Sequence, residues 1–250
     1  MQSMSLYAIG DLHLHFQSEV KSKNQGRGPW KKHEEKLRKN CQSLLTAEDT
    51  LVLVGDHSWG RKLTECEKDL EYIRNLPGRK ILIRGNHDSF WNAKKTGKLN
   101  ELYQPELTFL QNSYEVYQDY AIVGTKGFTF EGPFYLDNRG RIYDWDRTEE
   151  AHSWELIERE LERLRISFEA AKADGFHKYI MFLHYPPINI LERESGFTEM
   201  AEEYGAEQVV YGHIHGEKWL YGRAEGEING IQYHLVSGDY LNWMPKKILD

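Results

Sequence analysis

Short apolar runs, each closed by a polar cluster, set the rhythm of this chain. Leu6–Ile9, Leu51–Val54, Ile81–Ile83, Tyr179–Leu183 and Gln208–Tyr211 are bounded by turn residues and predict buried strands. Between the first three, apolar positions recur at helical spacing over roughly Trp30–Leu45 and Leu63–Leu76. Strand, helix, strand, helix, strand predicts parallel pairing through crossover helices. The middle changes rhythm. Leu107–Phe130 contains short alternating segments, Tyr114–Tyr117 and Tyr120–Gly124, that suit antiparallel strands. A long helix over Thr148–Asp174 carries Trp154, Ile157, Leu161, Leu164 and Phe168 on one stripe, which the spacing assigns to core. Lys218–Leu249 reads again as antiparallel strands, around Gly226 and Gly230. The pattern predicts an α/β protein, two sheets face to face with helices outside. No internal repeat or linker interrupts it, so one domain over residues 1–250 is expected.

The clusters that close the strands carry the chemistry. They are Asp11-Leu12-His13, Gly55-Asp56, Gly85-Asn86-His87-Asp88 and, after His184, Gly212-His213-Ile214-His215. In parallel sheets ligands gather beyond the carboxyl ends of the strands, so these clusters are expected to converge on one edge. Carboxylate, imidazole and amide oxygen bind divalent first-row metals without thiolates. Two such ions about 3.5–4 Å apart hydrolyse phosphate esters. Asp11 and His13, two residues apart, share a face and can grip one ion. The two oxygens of Asp56 can bridge two ions, and Asn86 offers a neutral amide oxygen. His213 and His215 place one imidazole toward each ion, and His184 completes the second set. Each residue also has a plainer reading, a cap for Asp11, Asp56 or Asn86 and a buried hydrogen-bonded role for each histidine. Those readings fail for seven residues that all sit at strand ends.

The order D-x-H, GD, GNHD, H, GHxH resembles the calcineurin-like metallophosphoesterase superfamily, and the motifs span nearly the whole chain. The resemblance implies a four-layer αββα sandwich of two mixed β-sheets flanked by helices, with a dinuclear site between the sheets. It puts Asp11, His13, Asp56 and His215 on one metal, and Asp56, Asn86, His184 and His213 on the other. It also implies that His87 contacts the scissile phosphate without binding metal, with Asp88 orienting it. The expected function is a metal-dependent phosphoesterase acting on a phosphomonoester or phosphodiester through a metal-bridging hydroxide. Manganese, iron or zinc suits a sulfur-free set, as two divalent or mixed-valence ions. The residues after Asp56, His57-Ser58-Trp59, carry no expected role.

Composition narrows the setting. A chain of 250 residues with 40% hydrophobic and 28% charged residues is globular rather than disordered. No apolar stretch approaches the roughly 20 residues that span a bilayer. No secretory pattern opens the sequence, and Cys41 and Cys66 form no CxxC, so a reduced, cytoplasmic protein is expected. A formal charge of −7 argues against bulk coating of nucleic acid. A small-molecule phosphate ester is thus preferred over DNA or RNA as substrate; a nuclease and a non-catalytic scaffold remain the alternatives. The basic stretch Lys21–Lys39 reads either as a phosphate-contacting patch or, preferred, as the solvated face of a helix whose inner stripe is Trp30, Leu37, Cys41 and Leu44. Lys126–Asp146, aperiodic and aromatic-rich, reads equally as a lid or as a packed insertion. His15 shares the parity of Asp11 and His13 and is placed in a supporting shell or at the surface. Trp59, Phe90 and Trp91 wall the pocket or, preferred, pack the loops.

Overall fold

Alternation along the central strands fixes the architecture of the computed structural model, which describes residues 4–18, 27–128, 135–136, 142–143, 147–188, 193–216 and 223–250. The strands are β1 (Leu6–Ile9), β2 (Thr50–Val54), β3 (Arg79–Ile83), β4 (Leu107–Leu110), β5 (Tyr114–Tyr117), β6 (Tyr120–Thr125), β7 (Tyr135–Leu136), β8 (Ile142–Tyr143), β9 (Tyr179–Leu183), β10 (Ala206–Tyr211), β11 (Gly226–Ile228), β12 (Ile231–Leu235) and β13 (Lys246–Leu249). The helices are α1 (His33–Leu44), α2 (Leu63–Arg74), α3 (Thr96–Tyr103), α4 (Arg147–Ala173) and α5 (Gly196–Tyr204).

Leu6 and Ala8 of β1, Val52 and Val54 of β2, and Ile81 and Ile83 of β3 face Ile122, Ile180, Phe182 and Val210 of a second sheet. The intervening residues Tyr7, Ile9, Leu51, Leu53 and Leu82 pack outward on Leu37, Cys41, Cys66, Leu70, Ile73 and Leu99 of α1, α2 and α3. On the far side Val123, Met181, Leu183 and Val209 meet Ile157, Leu164 and Phe168 of α4 and Phe197, Met200 and Ala201 of α5. Strands apolar on both faces are those of parallel sheets covered on both sides. The result is the four-layer αββα sandwich. Both cysteines are buried and unpaired.

The first sheet runs β13-β1-β2-β3-β4 and the second β11-β12-β10-β9-β6-β5, with β7 and β8 forming a separate antiparallel pair. In each sheet four neighbouring strands are parallel, β1 to β4 in one, with β4 at its edge, and β12, β10, β9 and β6 in the other. Antiparallel strands close the other three edges, β13 on β1, β11 on β12 and β5 on β6.

Four expectations need correction. Leu107–Leu110 is not part of an antiparallel unit; it extends the first sheet parallel to β3, and β6 is antiparallel only toward β5. After Gly226 the strands are not one antiparallel unit: β11 and β12 form a hairpin, β12 also lies parallel to β10, and β13 crosses to the other sheet, where it is antiparallel to β1. Trp154 is 45% exposed, so the inner stripe of α4 begins at Ile157. Similarly, Trp30, Leu37 and Cys41 turn inward on α1 and the turn before it, whereas Leu44 stays exposed. Residues 21–26 of the basic stretch, and 129–134, 137–141 and 144–146 of the aromatic segment, lie outside the described residues. No helix among the described residues is long and apolar enough to cross a membrane.

Candidate metal centre

Four of the seven expected ligands adopt left-handed backbone, Asp11 (φ 61°), His13 (φ 45°), Asp56 (φ 53°) and His213 (φ 71°). That conformation costs a non-glycine residue roughly 1–2 kcal/mol. It turns the chain sharply as each parallel strand ends and aims the side chain back across the sheet edge. The glycines of the motifs make room for ligands from other motifs. A Cβ on Gly85 would stand 2.1 Å from Asp56 Oδ1, and one on Gly212 would stand 2.5 Å from Asp11 Oδ2. The motifs therefore interlock rather than merely lie near one another.

Two groups of donors form. Asp11, His13 and His215 make one and Asp56, His184 and His213 the other, each with its ligand atoms within 4.8 Å of one another. In the first, His13 Nε2 lies 3.2 Å from His215 Nε2, and His215 Nε2 lies 3.2 Å from Asp11 Oδ1. In the second, His213 Nδ1 lies 3.2 Å from His184 Nε2, which is 2.8 Å from Asn86 Oδ1 and 3.4 Å from Asp56 Oδ1. Asp56 reaches toward both groups, since its Oδ2 is 3.6 Å from His13 Nε2. All seven expected ligands are thus brought together.

The donor set fits a metal in each group. Imidazole nitrogens face imidazole nitrogens, an arrangement in which protons satisfy only some of the lone pairs and a cation satisfies all of them. Supporting groups fix the tautomers. His184 donates through Nδ1 to the Val54 carbonyl at 3.0 Å, and His215 through Nδ1 to Asp239 Oδ1 at 3.0 Å, leaving each Nε2 turned inward. Asp239 also accepts from the Gly216 amide at 2.9 Å. The Asp11 carboxylate accepts the His213 amide, which pins the last motif to the first.

Electrostatics follow the same pairing. Burial alone would raise Asp11, but His215 beside it brings the carboxyl down to about 2. Burial would also lower His184 and His215, yet Asp56 raises the one to about 9 and Asp11 raises the other to about 10. Burial leaves His13 and His213 low, at about 4 and about 3.

His87 stands exposed at the rim, its amide donating to Asp56 Oδ1 at 2.8 Å. Asp88 does not turn to it. The Asp88 carboxylate is buried and accepts from the amides of Asp56, His57 and Gly85 and from His57 Nδ1, each at 3.0 Å or less. Adjacent residues of this loop point opposite ways, His87 outward and Asp88 beneath. Asp88 therefore clasps the second and third motifs, and His57 has a role as its partner. Trp59 stacks on His13 at 4.7 Å and tilts against His87 at 4.4 Å, so it walls the site. Trp91 is buried and donates to Thr96 Oγ1, a packing role. His15 bonds only the carbonyl of His13, at 3.4 Å, among the described residues.

Asp239 is not among the expected residues, yet its signal is present. Gly238-Asp239 comes after the alternating strand β12 with two residues between, and repeats the Gly-Asp pair that directly follows β2 at Gly55-Asp56.

A family model described as calcineurin-like phosphoesterase matches residues 4–217. Phosphopantetheinyl hydrolase from Mycobacterium tuberculosis is similar in structure, with 16% identity and a TM-score of 0.54 over 98% of this chain and 95% of that one. TT1561 of Thermus thermophilus matches with 9% identity and a TM-score of 0.54 over 99% of each chain. A protein of unknown function from Aquifex aeolicus matches with 17% identity and a TM-score of 0.50 over 98% and 96%. At these identities the likeness is one of fold. No curated protein matches the chain significantly.

Proposed function

The chain belongs to the calcineurin-like phosphoesterase family, and from that premise we propose that it is a metal-dependent hydrolase of a phosphomonoester or phosphodiester, with one metal ion held by each donor group. The observation that carries this reading is Asp56, whose two oxygens lie 3.6 Å from His13 Nε2 and 3.4 Å from His184 Nε2, one toward each group. Asp11, His13 and His215 would hold one ion with Asp56, and Asn86, His184 and His213 the other with Asp56. When bound, the ions supply Lewis acidity, lowering the pKa of a water and neutralising phosphoryl oxygens; manganese, iron or zinc suits the donors.

The protein's own groups do the rest. Two carboxylates, Asp11 and Asp56, leave a two-ion site net positive and matched to a phosphate. His87, exposed beside Trp59, is placed to donate a hydrogen bond or a proton near the leaving oxygen. Trp59 covers His13 and limits water on that side. Val54 O and Asp239 hold the two imidazoles that carry the inward lone pairs.

The test is hydrolysis of bis(p-nitrophenyl) phosphate and p-nitrophenyl phosphate by chain loaded with manganese, beside Asp56→Ala and His184→Ala. Turnover should fall in both variants by about a hundredfold or more. Turnover no higher than the variants, on either ester, would leave a non-catalytic scaffold as the better reading.

A further inference from the structure

Beyond His184, among the described residues, the sheet edge carries more positive charge than the one carboxylate there balances. Glu160 on α4 is fully buried. Arg163 Nη1 lies 2.6 Å from it, Arg84 Nη2 3.7 Å and Arg159 Nε 3.8 Å, and Thr125 donates its hydroxyl at 2.5 Å. Lys126 shares the neighbourhood, with the field of Glu160 and of all three arginines acting on it. Its ammonium lies 5.5 Å from the Phe128 ring centre and 5.4 Å from that of Tyr185, and it pairs with no carboxylate among the described residues.

A buried carboxylate needs a well-placed cation and hydrogen bonds, which Arg163 and Thr125 already provide. Arg84, Arg159 and Lys126 exceed that need. Arg84 Nε is moreover buried with no acceptor among the described residues. Burial pulls the Lys126 ammonium down, with the arginines adding to it against Glu160, to about 8; at neutral pH it stays charged. Arg84 is largely buried and Arg159 half-exposed, and both share the single carboxylate of Glu160. Desolvated cations that share one counterion are costly, and walls of one sign focus field lines on an incoming ion of the other.

The cluster adjoins the metal centre. Arg84 directly precedes Gly85-Asn86-His87-Asp88. The Lys126 carbonyl accepts the amides of His184 and Tyr185 at 3.1 and 2.9 Å. The Tyr185 ring is 4.1 Å from that of His213, so a single aromatic ring separates the Lys126 ammonium from the donor group of Asp56, His184 and His213.

We infer that Arg84, Lys126 and Arg159 form an anion subsite, and that the substrate is a phosphate ester bearing a second anionic group, phosphate or carboxylate, beyond Tyr185. The inference rests on the phosphoesterase reading. Its test compares p-nitrophenyl ethyl phosphate with p-nitrophenyl diesters whose alkyl arm ends in carboxylate or phosphonate, over a series of spacer lengths at fixed ionic strength. Within each protein the quantity read is the ratio of kcat/KM for the anionic ester to that for the ethyl ester, so a changed folded fraction cancels.

In the unaltered chain the best ratio should reach about tenfold, the scale of one charge-assisted hydrogen bond. It should fall about threefold or more in Lys126→Met and be kept in Lys126→Arg. Preference between the carboxylate and phosphonate arms identifies the second group. A ratio near one, with the ethyl ester turned over, overturns the inference and leaves the phosphoesterase reading standing. A high ratio unmoved by Lys126→Met overturns the assignment to this cluster. No turnover of any ester defeats the phosphoesterase reading and the inference with it.

Discussion

At His87 the backbone is tied to the Asp56 carboxylate while the ring stands exposed beside Trp59. A general acid in that position matters in proportion to the basicity of the leaving oxygen. His87→Ala should therefore lower kcat for alkyl phosphate esters by about a hundredfold and for p-nitrophenyl esters far less. A leaving-group series measures this directly, and equal losses along it would remove the acid role. Asp239 acts one step further back, through His215. Asp239→Asn should weaken metal affinity about 10–100-fold, read by competition with a chelator, with the other group's ligands unaltered. The expected ligands are legible in the sequence because each cluster ends an apolar run, a placement that spacing alone reveals. The partner of Asp88 is not. Sequence gives the adjacency of His87 and Asp88, but in a tight loop neighbouring side chains diverge, and only the fold brings His57 within 2.8 Å.

Elements are most legible where both faces are buried. The strands β1, β2, β3, β9 and β10 each hold an unbroken apolar run of three or more residues, and the long stripes of α1, α2 and α4 have enough turns to show their period. Two short helices escape: α3, and α5, whose start rests on a local capping box between Ser195 and Thr198. The parallel edge strand β4 escapes as well, since a short apolar run looks alike in either orientation. The loops between elements are where strain and close contact concentrate. Gly85→Ala tests this, because the added methyl meets both the side chain and the backbone nitrogen of Asp56. We expect a loss of about 1–3 kcal/mol in stability, seen as a lower melting temperature with and without metal. Metal uptake should fall in both groups together, since Asp56 reaches both. A variant that melts and binds metal like the parent would show that the loop has room to shift.

Across the whole molecule the proposed ligands divide between the sheets. Asp11, His13, Asp56 and Asn86 follow strands of the first, and His184, His213 and His215 follow strands of the second. Each donor group draws on both, so an ion in either one couples the two halves of the sandwich. Saturating metal at a thousand times its Kd should stabilise the fold by about 4 kcal/mol per site, and chelation should lower the melting temperature accordingly. Proton traffic accompanies this. Without metal, His184 and His215 are raised from 6.5 to about 9 and about 10, so their ion pairs stabilise the fold fully below 6.5 and lose that effect as pH rises through those values. Metal binding needs both imidazoles neutral. Titration at pH 7.5 in weak buffer should release about one proton from each, falling toward none above pH 10; release independent of pH would contradict the paired state. The bond from the His213 amide to Asp11 spans 202 residues of chain, and that separation has a meaning in time. At about 5–20 residues per second, a ribosome finishes His213 on the order of 10–40 s after Asp11 has emerged. During that interval neither donor group is complete, so a chain stalled or truncated before His213 would hold no complete metal site. On the proposed reading, activity would appear only in a polypeptide made past His215.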